Sequence, residues 1–285
     1  MPRLKGAVVA LTGASSGIGA AAAARFAARG AHLALCARRL DRLQSVAERC
    51  RELGSPSVTI RRTDVSRREE CRAFIAGVLR DHERINVLVN NAGLGWMGRL
   101  DRMPEERVRT LVDTNVLGTL WTTQAALPAM VSRHSGVIVN VASVAGFRPL
   151  PYSSFYAATK HAVVGLSHSL RGELTGTGVK VTVIYPGGTE SEFFAQGGEN
   201  PSLLPVYPSN WIGGAIVRAA RFPRRDVIIM PFRLAHLLEP VIGGPLDHVI
   251  GEVRRHTTAE LQSEPEPAAE EERAAGSGEG PTAAG

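Results

Sequence analysis

The chain has only three cysteines in 285 residues. Cys36, Cys50 and Cys71 are far apart, odd in number and without metal-ligand spacing. They therefore offer neither a disulfide framework nor a zinc site, and read as free thiols in a reducing compartment, the cytoplasm. The eight histidines form no HxxxH or HExxH pattern, so no metal site is expected. No apolar run approaches the roughly 20 residues that a membrane-spanning helix needs. The short apolar run near the N-terminus breaks into a glycine loop, which suits a first buried strand better than a cleaved leader. Aromatics are scarce, at 5%, and the arginines are not interleaved with them, so no nucleic-acid recognition module accompanies the net charge of +6. That charge is unevenly spread. Residues 257–285 hold seven Glu and one Arg, a net −6, which leaves +12 on the rest. A solvated basic surface around an anionic small-molecule ligand accounts for the excess.

Seven short, continuous apolar runs are present, at 7–12, 32–36, 57–62, 86–90, 136–142, 180–185 and 226–230. Continuous rather than alternating apolarity suits strands buried on both faces of a parallel sheet. Helix-length stretches at 17–29, 39–53, 67–81, 103–133 and 154–175 lie between them. The βαβ rhythm predicts a single-domain α/β fold over residues 1–256: a doubly wound, mainly parallel seven-stranded sheet of Rossmann type with right-handed crossovers. Residues 190–215 are rich in Gly and Pro and read as a substrate lid, or else as a surface insertion. Residues 233–255 suggest one or two amphipathic helices packed on protein. The tail at 257–285 has almost nothing to bury and is expected to be disordered.

TGASSGIG at 12–19 follows the first strand and opens a helix. Gly13, Gly17 and Gly19 allow the tight turn and close backbone approach that a pyrophosphate at a helix N-terminus needs. The second strand ends in Ala37, Arg38 and Arg39. An acidic residue at this place holds the ribose hydroxyls of NAD, whereas a guanidinium matches the 2′-phosphate of NADP. Arg38 is the better candidate, since Arg39 could equally start a solvated helix face. Tyr156 and Lys160 are four apart on a predicted helix and share one face. A free phenol titrates near 10, and a neighbouring ammonium favours its ionised form, which suits proton transfer. Ser143 ends the fifth predicted strand, at the ligand-facing edge of such a sheet, and is a candidate donor to a substrate oxygen; alone it would read as a turn or N-cap residue. Asn115 sits inside a predicted long helix, where asparagine is a mediocre choice.

Taken together, TGxxxGxG at 12–19, NNAG at 90–93, Asn115, Ser143, Tyr156-x-x-x-Lys160 and Pro186-Gly187 resemble the short-chain dehydrogenase/reductase family in order and spacing over about residues 5–235. The resemblance implies an NADP(H)-dependent oxidoreductase that moves a hydride from the B face between nicotinamide and a carbonyl or alcohol carbon. It implies Asn115, Ser143, Tyr156 and Lys160 as the catalytic set. Tyr156 would be the general acid/base, Lys160 would also hold the nicotinamide ribose, and Asn115 would anchor a water in a proton relay. It implies cofactor contacts from Gly13, Ser15, Ser16, Gly17, Ile18 and Gly19, and from Arg38 and Arg39. Further contacts are implied from Asp64, Val65, Asn91, Ala92, Gly93, Tyr156, Lys160, Pro186, Gly187 and Thr189. Asp64 and Val65 would meet the adenine, although Asp64 could equally be a helix N-cap; Asn91 would also steady the sheet, and Gly93 could simply permit a turn. Ser191 stands where the family often has threonine. Homodimers or homotetramers through the helices at 103–133 and 154–175 are likewise implied.

Phe147, Leu150, Phe155, Phe193 and Phe194 suggest an apolar substrate, without nucleic-acid partner or stable membrane insertion. A catalytically silent NADP-binding scaffold on the same fold is the alternative reading. It is disfavoured because such proteins usually lose the Tyr/Lys pair.

Overall fold

The computed structural model describes residues 4–189, 206–229, 244, 248–249 and 251–252. All seven apolar runs form strands of one sheet. In chain order these are β1 (Val8–Thr12), β2 (His32–Ala37), β3 (Val58–Arg62), β4 (Val87–Asn90), β5 (Gly136–Val141), β6 (Val179–Tyr185) and, after two short strands, β9 (Asp226–Ile228). Their order across the sheet is β3-β2-β1-β4-β5-β6-β9, and every pairing is parallel. The order reverses between β1 and β4. A cleft opens there beyond the carboxyl ends of the strands.

The helices cover both faces, because alternate residues of each strand point opposite ways. Val9 and Leu11 of β1 pack with Phe26, Leu43 and Ile212, from α1 (Gly17–Ala27), α2 (Leu40–Glu52) and α7 (Ser209–Arg221). Val8 and Ala10 pack with Phe74, Met130 and Leu170, from α3 (Arg68–His82), α5 (Gly118–Ser132) and α6 (Ser154–Glu173). A buried polar ladder ties the second layer to the sheet. Asn90 Nδ2 donates to Thr123 Oγ1 (2.9 Å) and Asn140 Oδ1 (2.8 Å), and Asn140 Nδ2 donates to Ser167 Oγ of α6 (2.8 Å).

The long helix expected at 103–133 is α4 (Glu105–Leu111) running into α5 through a π-helical stretch, Val112–Leu117. Asn115 lies in that stretch. The wider π turn is where a side chain poorly suited to an α-helix is accommodated.

The lid expected at 190–215 falls outside the described residues from 190 to 205. Its remainder is ordered secondary structure. Val206–Tyr207 (β8) pairs in parallel with Gly188–Thr189 (β7), and α7 begins at Ser209. Gly213 and Gly214 disguise α7 as loop in the sequence, yet a Cβ at 213 would come within 2.8 Å of the Ala22 amide of α1. The tail at 257–285 and most of 233–255 lie outside the described residues.

Thr182 in β6 is fully buried, and its Oγ1 has no hydrogen-bond partner among the described residues. A desolvated hydroxyl left unpaired costs on the order of 1–3 kcal/mol. Thr182→Val keeps the branched shape and removes the hydroxyl, so it is expected to raise unfolding stability by about 1 kcal/mol, read as a higher urea midpoint at unchanged m-value.

Candidate active site

The cleft at the topological reversal has a volume of about 370 Å³. Its first wall is the turn from β1 into α1. Gly13 takes φ 67°, and a Cβ on it would lie 2.7 Å from Ala92 Cα. A Cβ on Gly19 would overlap the Gly13 carbonyl oxygen and the Asn91 side chain. The turn is therefore a cradle that only glycine leaves open. Asn91 braces it by donating from Nδ2 to the Thr12 and Gly13 carbonyls (both 3.1 Å). The Asn91 and Ala92 amides donate to Thr12 Oγ1 (3.1 and 3.0 Å). Backbone N–H groups at the start of α1 and the positive end of its dipole make the cradle fit for phosphate.

At the end of β2, Arg38 and Arg39 both line the cleft. Arg39 Nη2 donates to Ser16 Oγ (2.8 Å), a link between two stretches 23 residues apart. Two guanidiniums beside the glycine turn suit a dinucleotide bearing an extra phosphate. Asp64 also lines the cleft, and its Oδ1 accepts from the Ser66 amide (3.1 Å) and hydroxyl (2.8 Å) in a turn ahead of α3. The residues present fit NADP.

The other end of the cleft carries the chemistry. Tyr156 and Lys160, both buried, sit on the first turns of α6. Lys160 Nζ donates to the Val141 carbonyl (3.2 Å) and lies 5.8 Å from the Tyr156 ring centroid. Ser143 hydrogen-bonds the Tyr156 phenol, and its Oγ also accepts from the Ala145 amide (3.1 Å) as the cap of a short 3-10 turn. It thus has both the capping place that its sequence context suggested and a place at the reacting phenol.

Burial governs both titrations. It pushes the phenol up to about 12, against the opposing pull of the Ser143 hydrogen bond. It pushes the Lys160 ammonium down to about 8. The expected depression of the phenol by Lys160 is therefore not what this arrangement produces. The ammonium is aimed at a carbonyl, and both groups share the same desolvated pocket, so loss of water dominates. At neutral pH the pair is a protonated phenol beside a protonated amine, the form that can donate a proton.

Of the catalytic and cofactor-binding candidates read from the sequence, all but Gly19 and Asn115 line this one cleft, from Gly13 to Thr189. Gly19 lies beneath the glycine turn, and Asn115 lies one layer behind, buried. The substrate side differs in detail from expectation. Leu150 lines it, but Phe147 packs on Tyr185 (ring centroids 5.5 Å apart), and Phe155 is not in the lining. Phe193 and Phe194 lie outside the described residues. Leu94, Met97, Val144 and Ser153 line the cleft without having been singled out. Their proximity to NNAG, Ser143 and the start of α6 was the available signal. Among the described residues, no group of His, Cys, Asp or Glu could hold a metal ion, and no helix is long and apolar enough to cross a membrane.

A family model described as short chain dehydrogenase matches residues 7–201. A relative from Arabidopsis thaliana named 11-beta-hydroxysteroid dehydrogenase-like 4A is 42% identical over 203 residues, 71% of this chain and 66% of the relative. The matched part thus spans just under two thirds of that relative's length. A short-chain dehydrogenase from Sphingobium yanoikuyae, solved with NADPH, superposes with a TM-score of 0.75 at 30% identity, covering 93% of this chain and 99% of that one. An alcohol dehydrogenase from the archaeon Thermococcus sibiricus, solved with 5-hydroxy-NADP, has a TM-score of 0.72 at 30% identity, covering 79% and 96%.

The Lys160 shift has a consequence for stability. Its folded value lies below the ordinary lysine value of 10.5, so between about pH 8 and 10.5 the unfolded chain binds more protons and stability rises with pH. Below about 8 the full penalty of the buried charge is present, on the order of 3 kcal/mol. Lys160→Met is expected to be more stable than wild type at pH 7. Urea titrations at pH 7 and 9.5 should show that advantage shrinking at the higher pH.

Proposed function

The chain belongs to the short-chain dehydrogenase family, and from that premise we propose that it is an NADP(H)-dependent oxidoreductase acting on a carbonyl or secondary alcohol of an apolar small molecule. The observation that carries this reading is the Ser143–Tyr156 hydrogen bond, with Lys160 on the same helix as Tyr156, at the far end of a cleft whose near end is a glycine cradle flanked by two arginines. When bound, NADPH supplies the hydride. The start of α1 would hold its pyrophosphate, Arg38 and Arg39 its extra phosphate, Asp64 and Val65 its adenine, and Lys160 and Thr189 the nicotinamide end.

In the reducing direction Tyr156 donates its proton to the substrate oxygen as negative charge develops there. Ser143 donates a hydrogen bond to the same oxygen. The Lys160 ammonium stabilises the phenolate left behind, and the dry pocket strengthens that attraction. Leu94, Met97, Val144 and Leu150 give the substrate end an apolar lining. Among the described lining residues there, no carboxylate or guanidinium faces an acidic or basic substrate group, which supports a neutral apolar ligand. Cys36, Cys50 and Cys71 are all buried free thiols, which suits a reducing compartment, and we place the protein in the cytoplasm. The outer faces of α5 and α6 are the surfaces through which we expect it to pair as a homo-oligomer.

Tyr156→Phe is expected to lower NADPH-dependent reduction of apolar ketones by about 10²- to 10⁴-fold while leaving the NADPH dissociation constant within about threefold. NADPH binding to wild type without turnover on a broad carbonyl panel would instead make the protein a silent scaffold. Arg38→Asp is expected to weaken NADPH binding by about 10- to 100-fold and leave NADH binding nearly unchanged, as two lost charge-assisted hydrogen bonds to the extra phosphate would require. Fluorescence titration with each dinucleotide reads both values.

A further inference from the structure

Both Nδ2 hydrogens of Asn115 and its Oδ1 are hydrogen-bonded within the protein. Its Oδ1 accepts from the Leu94 amide (2.8 Å), and its Nδ2 donates to the Leu94 carbonyl (2.9 Å). The remaining Nδ2 hydrogen goes to Thr159 Oγ1 (3.0 Å). Thr159 passes the connection on, since its own hydroxyl donates to the Tyr156 carbonyl (2.7 Å). Asn115 and Thr159 are almost fully buried, at 1% and 3% exposure, so each bond is made out of water and none is readily replaced by solvent. Leu94 and Tyr156 are both walls of the reaction cleft.

From this geometry we infer that Thr159 is a positioning residue for the reaction: its hydroxyl joins the turn of α6 that carries Tyr156 to the carboxamide that clamps Leu94, and so sets the phenol against the opposite wall of the substrate end. Three elements are joined through the Asn115–Thr159 bond. The loop after β4 contributes Leu94, the π-helical stretch contributes Asn115, and α6 contributes Tyr156 and Thr159 itself. The π turn is what allows Asn115 to reach both partners, because its extra residue shifts the side chain out of α-helical phase. Thr159 also lies directly between the phenol and the amine in sequence, so movement of this turn would displace both. A displacement of about 1 Å at a reacting group is enough to cost about 100-fold in rate. No contact between Thr159 and substrate is required, and Thr159 does not line the cleft.

The role rests on the oxidoreductase reading given above, but the joint itself can be tested without turnover. Thr159→Val removes the hydroxyl at nearly constant shape, and Thr159→Ser retains it. In Thr159→Val, amide exchange of the 92–96 segment is expected to rise about tenfold, because the carboxamide that holds the Leu94 amide has lost one anchor. The turnover number should fall about 10- to 100-fold with the NADPH dissociation constant within about threefold. Thr159→Ser should restore exchange and turnover together. Should Thr159→Val not fold, Asn115→Asp reaches the same joint from the other side. It keeps an acceptor for the Leu94 amide but has no donor for Thr159 or for the Leu94 carbonyl. The same exchange and rate changes are expected. Wild-type exchange at 92–96 in the folded variant would overturn the inference, and so would a Thr159→Ser protein as slow as Thr159→Val. A wild type without turnover on any carbonyl would defeat the oxidoreductase reading, leaving the exchange result to decide the joint alone.

Discussion

A phenol and an ammonium buried side by side are expensive to hold, and much of the structure can be understood as supporting them. The described residues put no carboxylate against Lys160; its partner is the Val141 carbonyl. Each group is shifted toward its neutral form by loss of water. A single helix carries both, one turn apart, so their relative position needs no further adjustment. That helix is tied to the sheet by the Asn140–Ser167 bond and to the cleft's opposite wall by the Asn115–Thr159 bond. The polar groups in these ties are buried and satisfied. That arrangement favours rigidity, because a partly paired buried network would cost more than an apolar one.

The strands were legible because a parallel sheet covered on both faces leaves little freedom of composition. Runs such as VVAL and VIVNV need only be apolar and β-branched to be recognised. The glycine turn, Tyr156 and Lys160 were legible for a related reason: backbone approach to a phosphate and a shared helical face each demand particular residues at particular spacings. Arg38 belongs with them, since the end of β2 is fixed once β2 is placed.

What escaped sequence reasoning depends on contacts between distant segments. Helix α7 was hidden by Gly213 and Gly214, whose low helix propensity is overridden by close packing on α1. Phe147 was assigned to the substrate side from its neighbours, but the ring turns to Tyr185. Thr159 attracted no attention, because a threonine between two conspicuous residues looks like filler until Asn115 is seen to reach it from 44 positions away. The sign of the Tyr156 shift was also out of reach. Spacing places an ammonium near a phenol, but only the folded environment shows that desolvation outweighs it.

That sign sets the protonation state in which the site rests. A phenol held well above neutrality is protonated throughout the physiological range, so the resting site is loaded to give a proton rather than to take one. Oxidation would require it first to lose that proton, and the pocket opposes the loss by burial. Lys160 reduces the opposition only while it is charged, and its own depressed value makes that charge pH-sensitive near 8. Raising the pH through about 8 therefore removes the cation while the phenol stays protonated, and leaves the phenolate harder to form.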